Sequence, residues 1–185
     1  MPMTTACALL YARMQLATRR LLLRPLHPDD APAVQRLASA HEIAENTLLV
    51  PHPYPEGAAA AWIAKPREAD SHVFAITLLE GGDLVGVIGL EAKPDHGRGE
   101  IGYWVGVPYW NRGYVTEAAR AVLGFGFESL GLHRIFAMHF TRNPSSGRVM
   151  QKLGMTHEGT LRQHEKKWDV YVDCEVYGIL RTEWR

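Results

Sequence analysis

The chain reads as one α/β domain built on a mixed, mostly antiparallel sheet of about seven strands flanked by about four helices. Three observations predict this. Strand-like and helix-like stretches alternate along 185 residues in the order β-α-α-β-β-β-α-β-α-β-β. No repeat, linker or low-complexity segment divides them. Apolar residues make up 46% and charged residues 22%, the balance of a globular domain long enough to bury a core.

The elements follow in order. Leu21-Leu22-Leu23 is a first strand, and Arg24-Pro25-Leu26 stops it because proline cannot donate to a ladder. Pro28-Asp29-Asp30 opens a first helix, with Ala31, Val34, Leu37 and Ala38 near helical spacing. The run 51–55, PHPYP, is a rigid loop, and the alanine-rich stretch Glu56 to Lys65 is a second helix. Val73 to Leu79 and Leu84 to Leu90 are strands joined by the turn Glu80-Gly81-Gly82-Asp83. Lys93 to Gly99 is a polar loop. Glu100 to Val107, EIGYWVGV, is a fourth strand, whose Gly102 and Gly106 permit a bulge. After a loop over 108–113, a long helix runs to about Leu130, with Ala119, Val122, Leu123, Phe127 and Leu130 on its apolar face and Gly131 at its end. Arg134 to Phe140 is a fifth strand. Asn143-Pro144 starts a last helix that stops at Gly154: asparagine suits the cap, proline the first helical position and glycine the exit. Thr156 to Trp168 and Val172 to Arg181 are the closing strands.

Lysine plus arginine equals aspartate plus glutamate, 20 against 20. That balance argues against a broad electrostatic grip on nucleic acid or an anionic membrane. No apolar run approaches the ~20 residues of a spanning helix. Cys7 and Cys174 lie far apart with no CxxC pair, so neither a disulfide framework nor a zinc site is indicated, and a reduced, cytoplasmic setting is the default. The nine histidines show no HxxxH or HExxH spacing, and no metal is expected. Residues 1–17 are read as a disordered N-terminal extension ahead of a domain spanning 18–185. Its apolar piece, Ala6 to Ala12, has no basic stretch before it and is not a signal peptide; Met14 is an alternative start.

The informative local feature is Asn111-Arg112-Gly113-Tyr114-Val115-Thr116-Glu117, where a strand feeds a loop that opens a helix. The first N–H groups of a helix lack internal partners and sit at the positive end of its dipole, which suits them to a pyrophosphate. Gly113 removes a side chain where backbone must approach a ligand, and Arg112 adds a charge. GxxxxGK[ST] is absent, so this is not a Walker loop, and one glycine after a mid-chain strand is no dinucleotide fingerprint. Alone, the turn reads equally well as an ordinary strand-to-helix connection.

Its surroundings add a family resemblance. Glu100-Ile101-Gly102-Tyr103-Trp104, then Pro108 to Ala118, then Asn143-Pro144-Ser145-Ser146, Val149, Lys152-Leu153-Gly154-Met155, Glu158-Gly159 and the terminal Tyr177 to Arg181 stand in order. Together they resemble the GNAT superfamily of acetyltransferases, and more closely its RimJ/RimL-type branch, from Arg19 to the end. The general pattern Q/R-x-x-G-x-G/A has Trp110 at its first position here and Val115 at its last. Tryptophan is common at that first position in the RimJ/RimL-type branch. Without the side-chain donor, phosphate binding leans on backbone N–H groups and Arg112.

The resemblance implies a GNAT-like fold with a splay between the fourth and fifth strands, and acetyl-CoA as co-substrate. The pyrophosphate would lie on Asn111, Arg112, Gly113, Tyr114, Val115 and Thr116. The pantetheine arm would pair with backbone near Val105 and Val107, where an N–H would polarise the thioester carbonyl. Ser146 would assist departure of the thiolate, with Asn143 beside it on the coenzyme arm. A general base is expected for the amine: an α-amine of pKa ~8 costs about 1.4 kcal/mol to deprotonate at pH 7, a lysine of pKa ~10.4 roughly 4.6. Glu165, nineteen residues past Ser146 as in RimL-type enzymes, is the first candidate, Glu100 the second and His139 a third with a more structural reading. Tyr103 and Trp104 either line the acceptor cleft or pack in the core. His52 and Tyr54 are placed to touch the acceptor. The resemblance implies direct transfer in a ternary complex to the N-terminal α-amine of a ribosomal or other protein, by a monomer or homodimer. A small amine (polyamine, amino-acid derivative or antibiotic) is the alternative acceptor, and a coenzyme A sensor without turnover the alternative class.

Overall fold

The computed structural model describes residues 14–185, so the reading of residues 1–13, Cys7 included, lies outside the described residues. Eight strands are present there: β1 Leu16–Ala17, β2 Leu21–Pro25, β3 Ser71–Leu78, β4 Leu84–Lys93, β5 Arg98–Val105, β6 Arg134–Phe140, β7 Thr156–Lys167 and β8 Val170–Leu180. Five α-helices accompany them: α1 Ala31–Ala38, α2 His41–Glu45, α3 Ala58–Ala64, α4 Tyr114–Gly124 and α5 Pro144–Lys152. The strands form one sheet in the order β1-β2-β3-β4-β5-β6-β8-β7. Every neighbouring pair is antiparallel except β5 and β6, which run parallel.

Strand periodicity explains how the sheet is covered. On β3, Phe74 and Ile76 enter one core with Ala118, Val122 and Leu123 of α4 and Met150 of α5. Val73 and Ala75, one residue out of phase, enter a second core with Val34 and Leu37 of α1 and Ala59 of α3. Alternate side chains point to opposite faces, so a run buried throughout needs helices on both sides. Each large apolar side chain buried in this way contributes roughly 1.5–3 kcal/mol.

Several boundaries differ from expectation. Leu16 and Ala17, read as part of the extension, pair with Leu23 and Leu22 and supply the eighth strand. Helix α2 was not anticipated, and most of it is one buried contact, Ile43-Ala44. The polar loop over 93–99 shrinks to a 3₁₀ turn at Pro94–His96, because β4 runs to Lys93 and β5 begins at Arg98. The long helix after Gly113 changes at Phe125 into a π-helical turn that reaches Ser129, and Gly131 ends it with φ 68°.

Candidate active site

The sheet opens between β5 and β6. Only Arg98, Gly99 and Glu100 pair with β6, opposite Arg134, Ile135 and Phe136. Beyond that, β5 continues against β4 and β6 continues against β8. Gly106 donates to the Val85 carbonyl at 2.9 Å, which sets the phase of the β4–β5 ladder. Trp104 and Gly102 therefore turn their backbone groups to β4, and Tyr103 and Val105 turn theirs into the opening. This is the splay expected between the fourth and fifth strands of the sequence reading.

The strand stops two residues earlier than expected. Val107 lies outside it, in a 3₁₀ turn over Val107–Tyr109. Its carbonyl accepts the Trp110 N–H at 3.2 Å, so Val107 offers no strand edge, and the open edge consists of Tyr103 and the Val105 N–H. Trp110 Nε1 donates to the Val105 carbonyl at 2.6 Å. The tryptophan at the departing motif position thus ties the loop back onto the strand it leaves.

The turn that follows is held open by two left-handed residues, Asn111 at φ 60° and Gly113 at φ 78°. Glycine tolerates that conformation where other residues are strained. The first helical bond is Glu117 N–H to the Gly113 carbonyl at 3.1 Å, and no side chain caps Gly113 among the described residues. The N–H groups of Tyr114, Val115 and Thr116 are left pointing out of the helix end. Sequence reading missed what braces this turn. Arg20 donates from Nη1 to the Arg112 carbonyl at 3.0 Å, and from Nε to Glu117 at 2.7 Å. The Arg20 N–H and the Thr18 hydroxyl also donate to Glu117, at 2.8 and 2.7 Å. Burial alone would raise the Glu117 carboxyl, but the Thr18 and Arg20 bonds outweigh it and hold the group below its ordinary value. Glu117 is therefore charge-compensated before any anion arrives.

Ser146 stands in the first turn of α5, whose cap is Asn143: the Asn143 side chain accepts from the Ser146 N–H at 3.3 Å. The Ser146 hydroxyl meets the Tyr103 hydroxyl at 3.0 Å. One partner lies on β5 and the other just past β6, so this bond crosses the opening where the strands have parted. Burial pushes the Tyr103 phenol up to about 12, against a smaller lowering from Ser146.

The two carboxylates singled out by sequence approach each other. Burial raises the Glu100 carboxyl, and the charges of Glu165 and Glu91 raise it further. Glu165 sits on β7 opposite Val172, with His164 Nε2 at 3.9 Å. His139 is buried with Nδ1 2.8 Å from the Phe140 carbonyl and its ring stacked on Tyr177, a structural placement. Tyr54 and Trp104 pack against the second core. His52 instead joins His41 and Trp168 in a cluster of rings, with centroids 5.0 and 6.3 Å from His52. Lys167 fastens that region by donating to the Leu48 and Val50 carbonyls at 3.1 and 2.6 Å.

A parallel strand pair that parts beside a helix end with outward-facing amides is the arrangement that the family resemblance implied. The chain belongs to the GNAT family: residues 20–156 match the model of the acetyltransferase (GNAT) domain. It is 33% identical to YnaD, an uncharacterized N-acetyltransferase of Bacillus subtilis, over 92% of this chain and 99% of that one. It is 29% identical to YdaF, a putative ribosomal N-acetyltransferase of the same organism, over 89% of this chain and 93% of that one. The crystal structure of a GNAT-family acetyltransferase from Bacillus anthracis superposes with a TM-score of 0.83 at 30% identity, covering 92% of this chain and all of that one. The protein is accordingly an N-acetyltransferase, and use of acetyl-CoA follows from the family.

Proposed function

We propose that this enzyme acetylates the N-terminal α-amine of a protein or peptide by direct transfer in a ternary complex, as RimJ/RimL-type enzymes do. The observation that carries the reading is the open β5 edge, Tyr103 and the Val105 N–H, with Ser146 across the opening from Tyr103. The chain's residues fit acetyl-CoA: Gly113 leaves room at the helix end, the amides of Tyr114 to Thr116 face outward, and Arg112 lies exposed beside them. When bound, acetyl-CoA supplies the activated thioester. Arg112, Gly113, Tyr114, Val115 and Thr116 hold its diphosphate, and Asn111 shapes the turn. The Val105 N–H donates to the carbonyl that gains negative charge. Ser146 donates a hydrogen bond to the departing sulfur, with Asn143 fixing the first turn of its helix.

The acceptor amine must lose a proton. Glu165 and Glu100 supply the base, and the raised carboxyl of Glu100 makes it a stronger acceptor for that proton than an exposed glutamate. An α-amine asks less of such a base than a lysine does. The likeness to the putative ribosomal enzyme YdaF supports a protein N-terminus as acceptor. The test is release of coenzyme A thiol from acetyl-CoA with a peptide library and with a panel of small amines. Turnover with free peptide N-termini is expected. Turnover confined to polyamines, amino-acid derivatives or antibiotics would overturn the acceptor assignment, and saturable binding without turnover would favour a sensor.

A further inference from the structure

The Tyr103–Ser146 contact has a chemistry of its own. Tyr103 lies three residues beyond Glu100, the last residue of β5 to pair with β6, and packs against the core that α4 and α5 cover. Its hydroxyl has two oxygens in reach, Ser146 Oγ at 3.0 Å and the Ser146 carbonyl at 3.4 Å. A phenol carries one proton, so it serves one of them at a time. When it bonds the carbonyl, the Ser146 hydrogen is free to turn toward the phenol. When it bonds Oγ, the Ser146 hydrogen is displaced from the phenol and must point elsewhere.

We infer that Tyr103 is a positioning residue for Ser146: by donating to Oγ, it turns the serine hydrogen into the opening between β5 and β6, where the sulfur departs. This rests on the role given to Ser146 above. No net proton leaves either hydroxyl. A phenol held near 12 keeps its proton against a thiolate whose conjugate acid lies near that of cysteine, about 3 pK units lower. The bonds that change are the thioester C–S bond, which breaks, and the N–C bond, which forms. The proton lost by the amine is the one that balances the released thiol. Tyr103 and Ser146 contribute oriented hydrogen bonds while charge gathers on sulfur. The inference therefore differs from general-acid catalysis by tyrosine, in which the phenol itself would give up its proton to the sulfur.

Tyr103→Phe keeps the ring and removes the hydroxyl. It is expected to lower kcat by about 10-fold, the worth of one hydrogen bond to a developing charge, and to change the KM for acetyl-CoA by less than about twofold. The double variant with Ser146→Ala should be no slower than Ser146→Ala alone, because the two hydroxyls act as a unit. If no amine in the panel turns over, the same comparison is made on hydrolysis of acetyl-CoA by water. A readout apart from turnover is fluorine NMR of the free enzyme labelled with meta-fluorotyrosine, in which the resonance missing from Tyr103→Phe belongs to Tyr103. That resonance should move in Ser146→Ala. A wild-type kcat in Tyr103→Phe, additive losses in the double variant, or an unmoved resonance would overturn the inference. A wild-type kcat in Ser146→Ala would remove the serine reading itself, an outcome distinct from a slow Ser146→Ala beside a fast Tyr103→Phe.

Discussion

Asp30 shows how single carboxylates carry the stability of this protein. It is 6% exposed and takes two bonds from Arg24, at 2.8 and 2.7 Å, and one from the His27 N–H at 2.7 Å. Burial alone would raise its carboxyl, but these bonds outweigh it and hold the group below the usual range. Glu117 behaves in the same way through Thr18 and Arg20. A carboxyl depressed in the fold contributes stability above its unfolded value, about 4, and loses it as pH falls through the folded value. The denaturant midpoint should therefore stay level from pH 7 to about 5 and fall steeply below about pH 4. Asp30→Asn should cost roughly 3 kcal/mol at neutral pH, since it strands a largely covered Arg24, and should flatten the acid limb. An Asp30→Asn variant with the wild-type acid limb would contradict this.

At the same scale, what was legible in sequence was what is local. Gly113, Asn143 and Ser146 carry their meaning in adjacent residues: a turn, a cap and a first helical turn. Arg20 was not legible, because the carbonyl it braces lies 92 residues away and no spacing rule connects them. Tyr103 was placed in the acceptor cleft or the core, and only the approach of α5 shows that its hydroxyl meets Ser146.

Elements are positioned by close backbone contact near the opening. A Cβ on Gly86 of β4 would lie 2.3 Å from the Trp104 carbonyl oxygen and 2.8 Å from the Val105 Cα, both backbone atoms of β5. Nothing there can swing aside, so the two strands must part at the end of β5. Gly89, on the same strand, would place its Cβ no nearer than 3.6 Å from Val73 Cγ2. Gly86→Ala is expected to destabilise the enzyme by about 1–3 kcal/mol and to weaken acetyl-CoA binding, whereas Gly89→Ala should do neither. Equal midpoints for the two variants in urea would contradict that account. Element types and order were readable because alternation and helical spacing are strong signals in β3, β4, α1 and α4. Their ends were less so. Val107 has the apolar, β-branched character of a strand residue, yet Pro108 beside it has no N–H to give a ladder, and β5 ends ahead of it. The Phe125–Ser129 turn has the apolar pattern of a continuing helix, and nothing local marks its wider π winding.

In the whole molecule, the sheet divides two jobs between its faces. One face, with α4 and α5, presents the free amides and Ser146. The other, with α1 and α3, packs Tyr54 of the loop over 46–57 and Trp104 of β5. The splay was implied by resemblance alone: no pattern in β5 or β6 announces that their pairing stops after three residues. The side proposed for the acceptor was the least legible, because the loop over 46–57 is brought to β7 by tertiary contacts such as Lys167 with Leu48 and Val50.

The central claim is that main-chain donors at this opening hold acetyl-CoA. Amide-resolved NMR of the free enzyme, titrated with acetyl-CoA, tests it directly. The account predicts that the N–H signals of Gly113, Tyr114, Val115 and Thr116 shift together with that of Val105 at one common affinity. Saturable binding that leaves those five amides unmoved would contradict it.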